Sequence, residues 1–292
     1  MEQIKVENLV KRYGNKKGVF DINFSIEKGE VFGFLGPNGA GKTTTIRHLM
    51  GFIKPDSGFV QIEGKDCFKE REQIQENVGY LPGEIALMEE MTGNEFLDFM
   101  FHMKRLKSKK KMKQLIAYFE LDPKGKIRKM SKGMKQKLAI ICAFMGEPNI
   151  LILDEPTSGL DPLMQNKFID LVVKEKKRGA TIFLSSHIFE EIERTCDRVG
   201  FIREGKLVTI KEMDDLRKSQ KRIFEIYFSS TEERNRYLET HKEARLEQDG
   251  VSVFVSGEVD SFIKDLSQYQ ISDLKIKMLS LEEIFLEYYE ER

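Results

Sequence analysis

Between Val31 and Met50 the chain reads VFGFLGPNGAGKTTTIRHLM, and the spacing Gly36-x-x-x-x-Gly41-Lys42-Thr43 within it fits a phosphate-binding loop. Glycine in such numbers costs conformational entropy, so the backbone must be needed close to something. The flanks supply the context the motif requires. Val31–Leu35 is short, apolar and β-prone, and Thr44–Met50 can continue as a helix. Gly36, Pro37, Asn38, Gly39, Ala40, Gly41, Lys42, Thr43 and Thr44 therefore form a candidate cradle. Its N–H groups and helix N-terminus would face phosphate oxygens. Lys42 would reach the β- and γ-phosphates of a nucleotide, and the Thr43 hydroxyl would ligate Mg²⁺.

A second stretch, ILILDEPTSGLD at Ile150–Asp161, puts two carboxylates directly after four apolar residues. Open α/β sheets bind ligands at the carboxyl ends of their strands, which is where this run would place Asp154 and Glu155. Asp154 is expected to hold Mg²⁺, through water, and Glu155 to polarise an attacking water.

The rest of the chain supports an α/β reading. Strand signals fall at Ile4–Leu9, Phe20–Ile26 and Gly58–Glu63, and again at Ala180–Ser185, Val199–Arg203 and Leu207–Ile210. Helices are expected over Leu163–Lys177 and Ile188–Cys196. From about Glu84 to Lys137 the pattern is helical: Phe96, Phe99, Met100 and Met103 recur at helical spacing, and Thr92 with Glu95 makes a capping box. The aromatics of this region, with Met134 and Met145, read as core. Strands alternating with helices predict a parallel sheet covered on both faces. The segment KEMDDLRKSQK, from Lys211 to Lys221, reads as a linker helix. Beyond it a β-α-β-β-α-β order runs from Arg222 to Lys277, followed by a helix over Leu281–Tyr289 with an apolar stripe of Leu281, Ile284, Phe285 and Tyr288.

Lys+Arg and Asp+Glu both number 48 in the 292 residues, so no global charge points to nucleic acid. The basic run KRLKSKKKMKQ, Lys104–Gln114, lacks interleaved aromatics and reads as a solvated helix connection. The longest apolar runs, Ile150–Leu153 and Leu138–Phe144, fall far short of the ~20 residues of a membrane span, and the N-terminus has no secretory apolar core. Cys67, Cys142 and Cys196 are scattered, as expected of reduced thiols in the cytoplasm. His48, His102 and His241 sit in no partner pattern.

From Ile4 to Ile210 the chain resembles the nucleotide-binding domain of an ATP-binding-cassette (ABC) transporter, because the motifs arrive in that family's order. KRYG places Tyr13 where the family stacks an aromatic on adenine. Gly36–Thr44 matches Walker A and Ile150–Glu155 matches Walker B. MSKGMKQK matches the signature, with Ser131, Lys132, Gly133 and Met134 in its key positions. Ser158, Gly159, Leu160 and Asp161 match the D-loop, and LSSH ends in His187, the switch histidine expected to bond γ-phosphate. SLEEIFLEYY resembles the C-terminal appendage of bacterial drug, antibiotic-peptide and sodium exporters. The resemblance implies a P-loop NTPase fold of the ABC ATPase type, with an N-terminal antiparallel β subdomain and a helical subdomain at about 84–137. It places the ATPase domain at 1–210, a linker at 211–221 and a ferredoxin-like α+β domain at 222–292. It further implies ATP and Mg²⁺, a second nucleotide-binding subunit, a separate transmembrane permease, and a cytoplasmic location peripheral to the membrane.

Two positions depart from the family. Gly83, followed by Glu84, stands where a glutamine usually follows Y-L-P, and the signature has Lys132 and Met134 where Gly and Gln are more frequent. Two rival uses of such a cassette fit less well. Chromosome-maintenance machines split it with long heptads and ribosome-acting ones carry two copies, whereas this chain has one, uninterrupted. A non-catalytic module would not need both Glu155 and His187.

Overall fold

The computed structural model describes residues 2–14, 17–218, 222–247, 250–255 and 259–278. The expected final helix over Leu281–Tyr289, with its stripe, lies outside these residues. The chain forms two units, Met1–Met213 and Asp214–Arg292.

The first unit opens with β1 (Glu2–Arg12), β2 (Gly18–Glu27), β3 (Val31–Leu35), α1 (Lys42–Leu49), β4 (Ser57–Ile62) and β5 (Lys65–Asp66). It continues through α2 (Arg71–Asn77), β6 (Val78–Leu81), α3 (Gly93–Met103), α4 (Lys110–Tyr118) and α5 (Lys132–Phe144). It ends with β7 (Ile150–Asp154), α6 (Pro162–Arg178), β8 (Thr181–Ser186), α7 (Phe189–Thr195), β9 (Arg198–Arg203) and β10 (Lys206–Glu212). The principal sheet has the order β10-β9-β3-β8-β7-β6, parallel from β9 to β6 with β10 antiparallel on its edge. β3, β7 and β8 are buried at every residue, which is why they read as apolar stretches without polar alternation, the buried Asp154, Ser185 and Ser186 coming only at their ends.

The antiparallel sheet, β2-β1-β4-β5, packs on the principal one through aromatic rings. Phe24 of β2 stacks on Phe32 of β3 with ring centroids 5.2 Å apart and lies 5.8 Å from Phe183 of β8. Offset stacking of this kind adds about 1 kcal/mol per pair beyond the area buried. The shared core holds the ends of β3, β7 and β8, and the loops leaving them, in one fixed frame.

In the helical region the capping box forms as expected. Thr92 N–H donates to Glu95 Oε2 at 2.7 Å and Glu95 N–H to Thr92 Oγ1 at 3.2 Å. The apolar face of α3 differs from expectation. Phe96, Leu97 and Phe101 are buried, whereas Phe99 is 40% and Met103 57% exposed. The buried stripe follows one side of the helix, and the Phe99–Met103 side, one turn apart, faces outward. Met145 is core, but Met134, in the first turn of α5, is only half-buried. The basic run is not uniformly solvated either. Lys109 pairs with Asp98 at 2.7 Å, and Lys111 reaches Glu175 of α6 at 2.7 Å.

The linker also departs from expectation. Lys211 and Glu212 extend β10, paired with Val199 and Arg198, and the helix α8 spans Met213–Lys218. The second unit contains β11 (Arg222–Phe228), α9 (Thr231–Thr240), β12 (Arg245–Leu246), β13 (Val251–Val255), α10 (Val259–Leu266) and β14 (Ile271–Met278). Its antiparallel sheet has the order β12-β13-β11-β14, the arrangement of a split β-α-β unit, around a core of Ile226, Tyr237, Val251, Val253 and Leu266.

Glu175 is buried between Lys111 of α4 and Arg178 of α6, 2.7 and 2.6 Å away. Burial raises its pKa, but the hydrogen bonds and charges of Lys111 and Arg178 prevail and hold it below the usual glutamate value. A depressed carboxylate stabilises the fold above its unfolded pKa and ceases to do so as pH falls through its folded value. Glu175→Ala should therefore cost about 2 kcal/mol at pH 7, with Arg178 discounted for solvent screening, and lower the melting temperature by roughly 5 °C. Thermal unfolding at pH 7 and at about pH 4 should show the deficit shrinking on acidification.

Candidate functional site

Walking out of β3, the chain turns sharply at Gly36, where an added Cβ would lie 2.3 Å from Ile202 O. No side chain fits, so glycine is required for the loop to fold back over the sheet edge. Gly41 caps α1 with φ of 111°, a conformation that L side chains rarely adopt. Within this loop Lys42 is 5% exposed, and its ammonium donates to Gly36 O at 2.6 Å and Pro37 O at 3.2 Å. It also pairs with Glu155 Oε1 at 3.0 Å.

Asp154 ends β7 with no exposed surface. Its Oδ2 accepts from Thr43 Oγ1 at 2.9 Å and its Oδ1 from Ser185 Oγ at 2.5 Å. Burial pushes this carboxyl up, the hydroxyls of Ser185 and Thr43 oppose the shift, and the neighbouring Glu155 charge adds to it. A desolvated carboxylate beside a hydroxyl oxygen is an all-oxygen donor set that suits a hard divalent cation such as Mg²⁺.

Glu155 follows with a left-handed backbone, φ 47°. That conformation costs a non-glycine residue on the order of 1–2 kcal/mol. Its N–H is fixed by Ser185 O at 3.1 Å and Ser185 Oγ at 3.3 Å. One carboxylate oxygen meets Lys42, and Oε2 lies 2.5 Å from His187 Nδ1. Lys42, Thr43, Asp154, Glu155 and His187 thus meet at the carboxyl ends of β3, β7 and β8.

This cluster opens into a cleft of 1210 Å³ lined by Asn38, Gly39, Gly41, Lys42, Thr43, Thr44 and Glu155. Tyr13, 45% exposed, stands on its wall, and Arg12, Lys17, Arg47 and Lys206 make the lining basic. The remaining sites predicted from sequence lie elsewhere. Ser131 caps α5, accepting from Met134 N–H at 3.2 Å, and Ser131, Lys132, Gly133 and Met134 do not line the cleft. Asp161 caps α6, accepting from Met164 N–H at 3.0 Å, with Pro162 at the first helical position. The signature and D-loop touch each other. Lys132 Nζ donates to Ser158 Oγ at 3.1 Å, and a Cβ on Gly159 would lie 2.9 Å from the Lys132 stem. A Cβ at Gly83 would lie 3.0 Å from Asp154 Oδ2, so the short residue backs directly onto this carboxylate, while Glu84 points to solvent. His48 is buried and donates Nδ1–H to Thr44 O at 2.8 Å, and His241 pairs with Asp265 at 2.9 Å within the second unit.

Sequence reasoning assigned no role to Ser185, although it fixes both carboxylate residues. The serine pair in LSSH was the only available signal. Gln136 was also missed; its amide donates to Pro156 O at 2.6 Å and ties α5 to the loop after β7.

Fold and cluster define a class: a P-loop ATPase built on a mixed sheet with an added antiparallel sheet and a helical region. The comparisons then give the family. The profile of the family described as ABC transporter matches residues 19–158. The bacitracin transport ATP-binding protein BcrA of Bacillus licheniformis is 36% identical over 293 residues, covering 97% of this chain and 96% of that protein. The linearmycin resistance ATP-binding protein LnrL of Bacillus subtilis is 39% identical over 218 residues, covering 73% of this chain and 70% of that one. A solved structure of an ATP-binding subunit of an ABC transporter superposes with a TM-score of 0.67 at 33% identity, covering 74% of this chain and 92% of that one. The chain belongs to the ABC transporter ATP-binding proteins and is an ATPase subunit of that family.

Lys42→Ala removes the one ammonium held inside the loop. ATP affinity measured by calorimetry should fall roughly a hundredfold, since a charge-assisted bond to phosphate is worth a few kcal/mol.

Proposed function

We propose that this subunit powers export through a separate transmembrane permease, and that its ATP sites are completed by a second nucleotide-binding subunit. The observation that carries the reading is the joining of Lys42, Thr43, Asp154, Glu155 and His187 into one cluster, while Ser131 and Gly133 do not line its cleft. The signature of one chain would then serve the cleft of the other, with the D-loop beside it. No helix among the described residues is long and apolar enough to cross a membrane. The subunit would sit at the cytoplasmic face, held there by the permease. The bacitracin and linearmycin relatives favour a drug or antibiotic-peptide cargo.

Tyr13 would stack on the adenine, and the loop amides with the α1 N-terminus would hold the phosphates. Lys42 exchanges its carbonyl and Glu155 partners for phosphate oxygens, which releases Glu155. The freed carboxylate takes a proton from water as the water oxygen bonds to the γ-phosphorus and the bond to the departing ADP breaks, and His187, at hydrogen-bond distance from Glu155, turns to the γ-phosphate. Mg²⁺, held by Thr43 and Asp154, would neutralise charge on the phosphate oxygens.

Glu155→Gln keeps the shape and removes the base. With ATP and Mg²⁺ it should bind nucleotide and accumulate as a dimer on size-exclusion chromatography. An unchanged monomer peak together with normal turnover would exclude the role.

The second unit has its own sheet and core, and every residue assigned to nucleotide lies before it. A chain truncated near Gln220 should bind ATP within about threefold of the full-length affinity. A folded truncation that fails to bind would place part of the site beyond residue 220.

A further inference from the structure

Glu191, on α7, is 2% exposed. Its Oε2 accepts from Ser186 Oγ at 2.6 Å. Ser186 is a junction. Its Oγ accepts the N–H of Ile188 at 2.9 Å, and its carbonyl accepts the N–H of Gly36 at 3.4 Å. The two residues flanking His187 are therefore tied together by one hydroxyl, and the proton of that hydroxyl is committed to Glu191. The switch histidine is anchored on one side by this bracket and on the other by Glu155 Oε2. At the C-terminal end of α7 the Thr195 hydroxyl donates to the Glu191 carbonyl at 2.6 Å, which fixes the turn carrying the carboxyl.

We infer that Glu191 is a positioning residue for hydrolysis: through Ser186 it sets the backbone on both sides of His187 and thereby aims the imidazole. This rests on the reading above that Glu155 and His187 act on the γ-phosphate. A turn without this anchor would sample other ψ angles at Ser186 and His187, and a displacement near 1 Å at a catalytic group can cost roughly a hundredfold in rate.

The surroundings also make the bracket sensitive to pH. Burial pushes the Glu191 carboxyl up to about 8 against the opposing hydroxyl of Ser186, with the Glu155 carboxylate raising it further and the Thr157 hydroxyl lowering it. The Cys196 thiol at the end of α7 also feels this group. Glu191 is therefore a neutral acid near pH 7. As pH rises it gains a charge in a dry pocket that faces Glu155. The added repulsion acts across the loops that carry the catalytic carboxylate and the histidine, so turnover falls on the alkaline side. Glutamine keeps the oxygen that Ser186 donates to and cannot ionise.

The experiment follows ATP turnover and ATP affinity of the full chain from about pH 6 to about pH 9.5 for wild type, Glu191→Gln, Glu191→Ala and Ser186→Ala, with Glu155→Gln as control. Glu191→Gln should turn over within about twofold of wild type at pH 7 and lose the alkaline decline centred near pH 8. Glu191→Ala and Ser186→Ala should lose roughly tenfold or more in kcat with ATP affinity unchanged. An identical alkaline limb in Glu191→Gln overturns the inference even where the alanine variants fail to fold. So does a folded Glu191→Ala with wild-type kcat. Wild-type turnover that survives Glu155→Gln overturns instead the catalytic reading on which the inference rests.

Discussion

One buried carboxylate organises the site. Asp154 ends β7 opposite Ser185 in the parallel register with β8, and its second oxygen reaches Thr43 on α1. A desolvated anion is costly unless its lone pairs are filled, so the three elements must approach closely enough for two hydroxyls to reach it. That requirement sets the distance between the glycine loop and the ends of β7 and β8. Lys42, Glu155 and His187 take their positions as a consequence. Gly83 permits the close approach from the fourth side, since any larger residue would press on the carboxylate.

The contact between Lys132 and the loop at Ser158–Gly159 joins two segments that the proposed function presents to another subunit. Gln136 fixes the start of the same loop through Pro156 O. The signature helix and the D-loop are thus coupled within one chain at two points, one buried and one at the surface. The buried bond contributes more, because an exposed lysine–hydroxyl pair competes with water. Glycine, the more frequent residue of the family at 132, could not form the second link.

Much of this was legible in the sequence, for physical reasons. β7 begins with its apolar run and ends one residue beyond it, at Asp154, because a strand buried on both faces does not alternate apolar with polar positions. The capping box at Thr92 and the loop glycines at 36 and 41 impose local geometry that no distant contact overrides. Features that depend on distant partners were not legible. Phe99 and Met103 fit the helical period, but which side of α3 meets the core is decided by its neighbours. β6 and α2 are short and have weak patterns, and they are held by pairing with β7 and packing against β6, respectively. The role of Ser185 depends on a register with β7, 31 residues earlier, that no local pattern encodes.

The left-handed backbone at Glu155 sets two structural costs against each other. Glycine would adopt that conformation without strain, yet it would leave the buried Lys42 ammonium without its carboxylate. Relief at one torsion angle would therefore be exchanged for an unpaired charge inside the loop. The strained turn and the buried lysine hold each other in place, so neither position can be relaxed on its own.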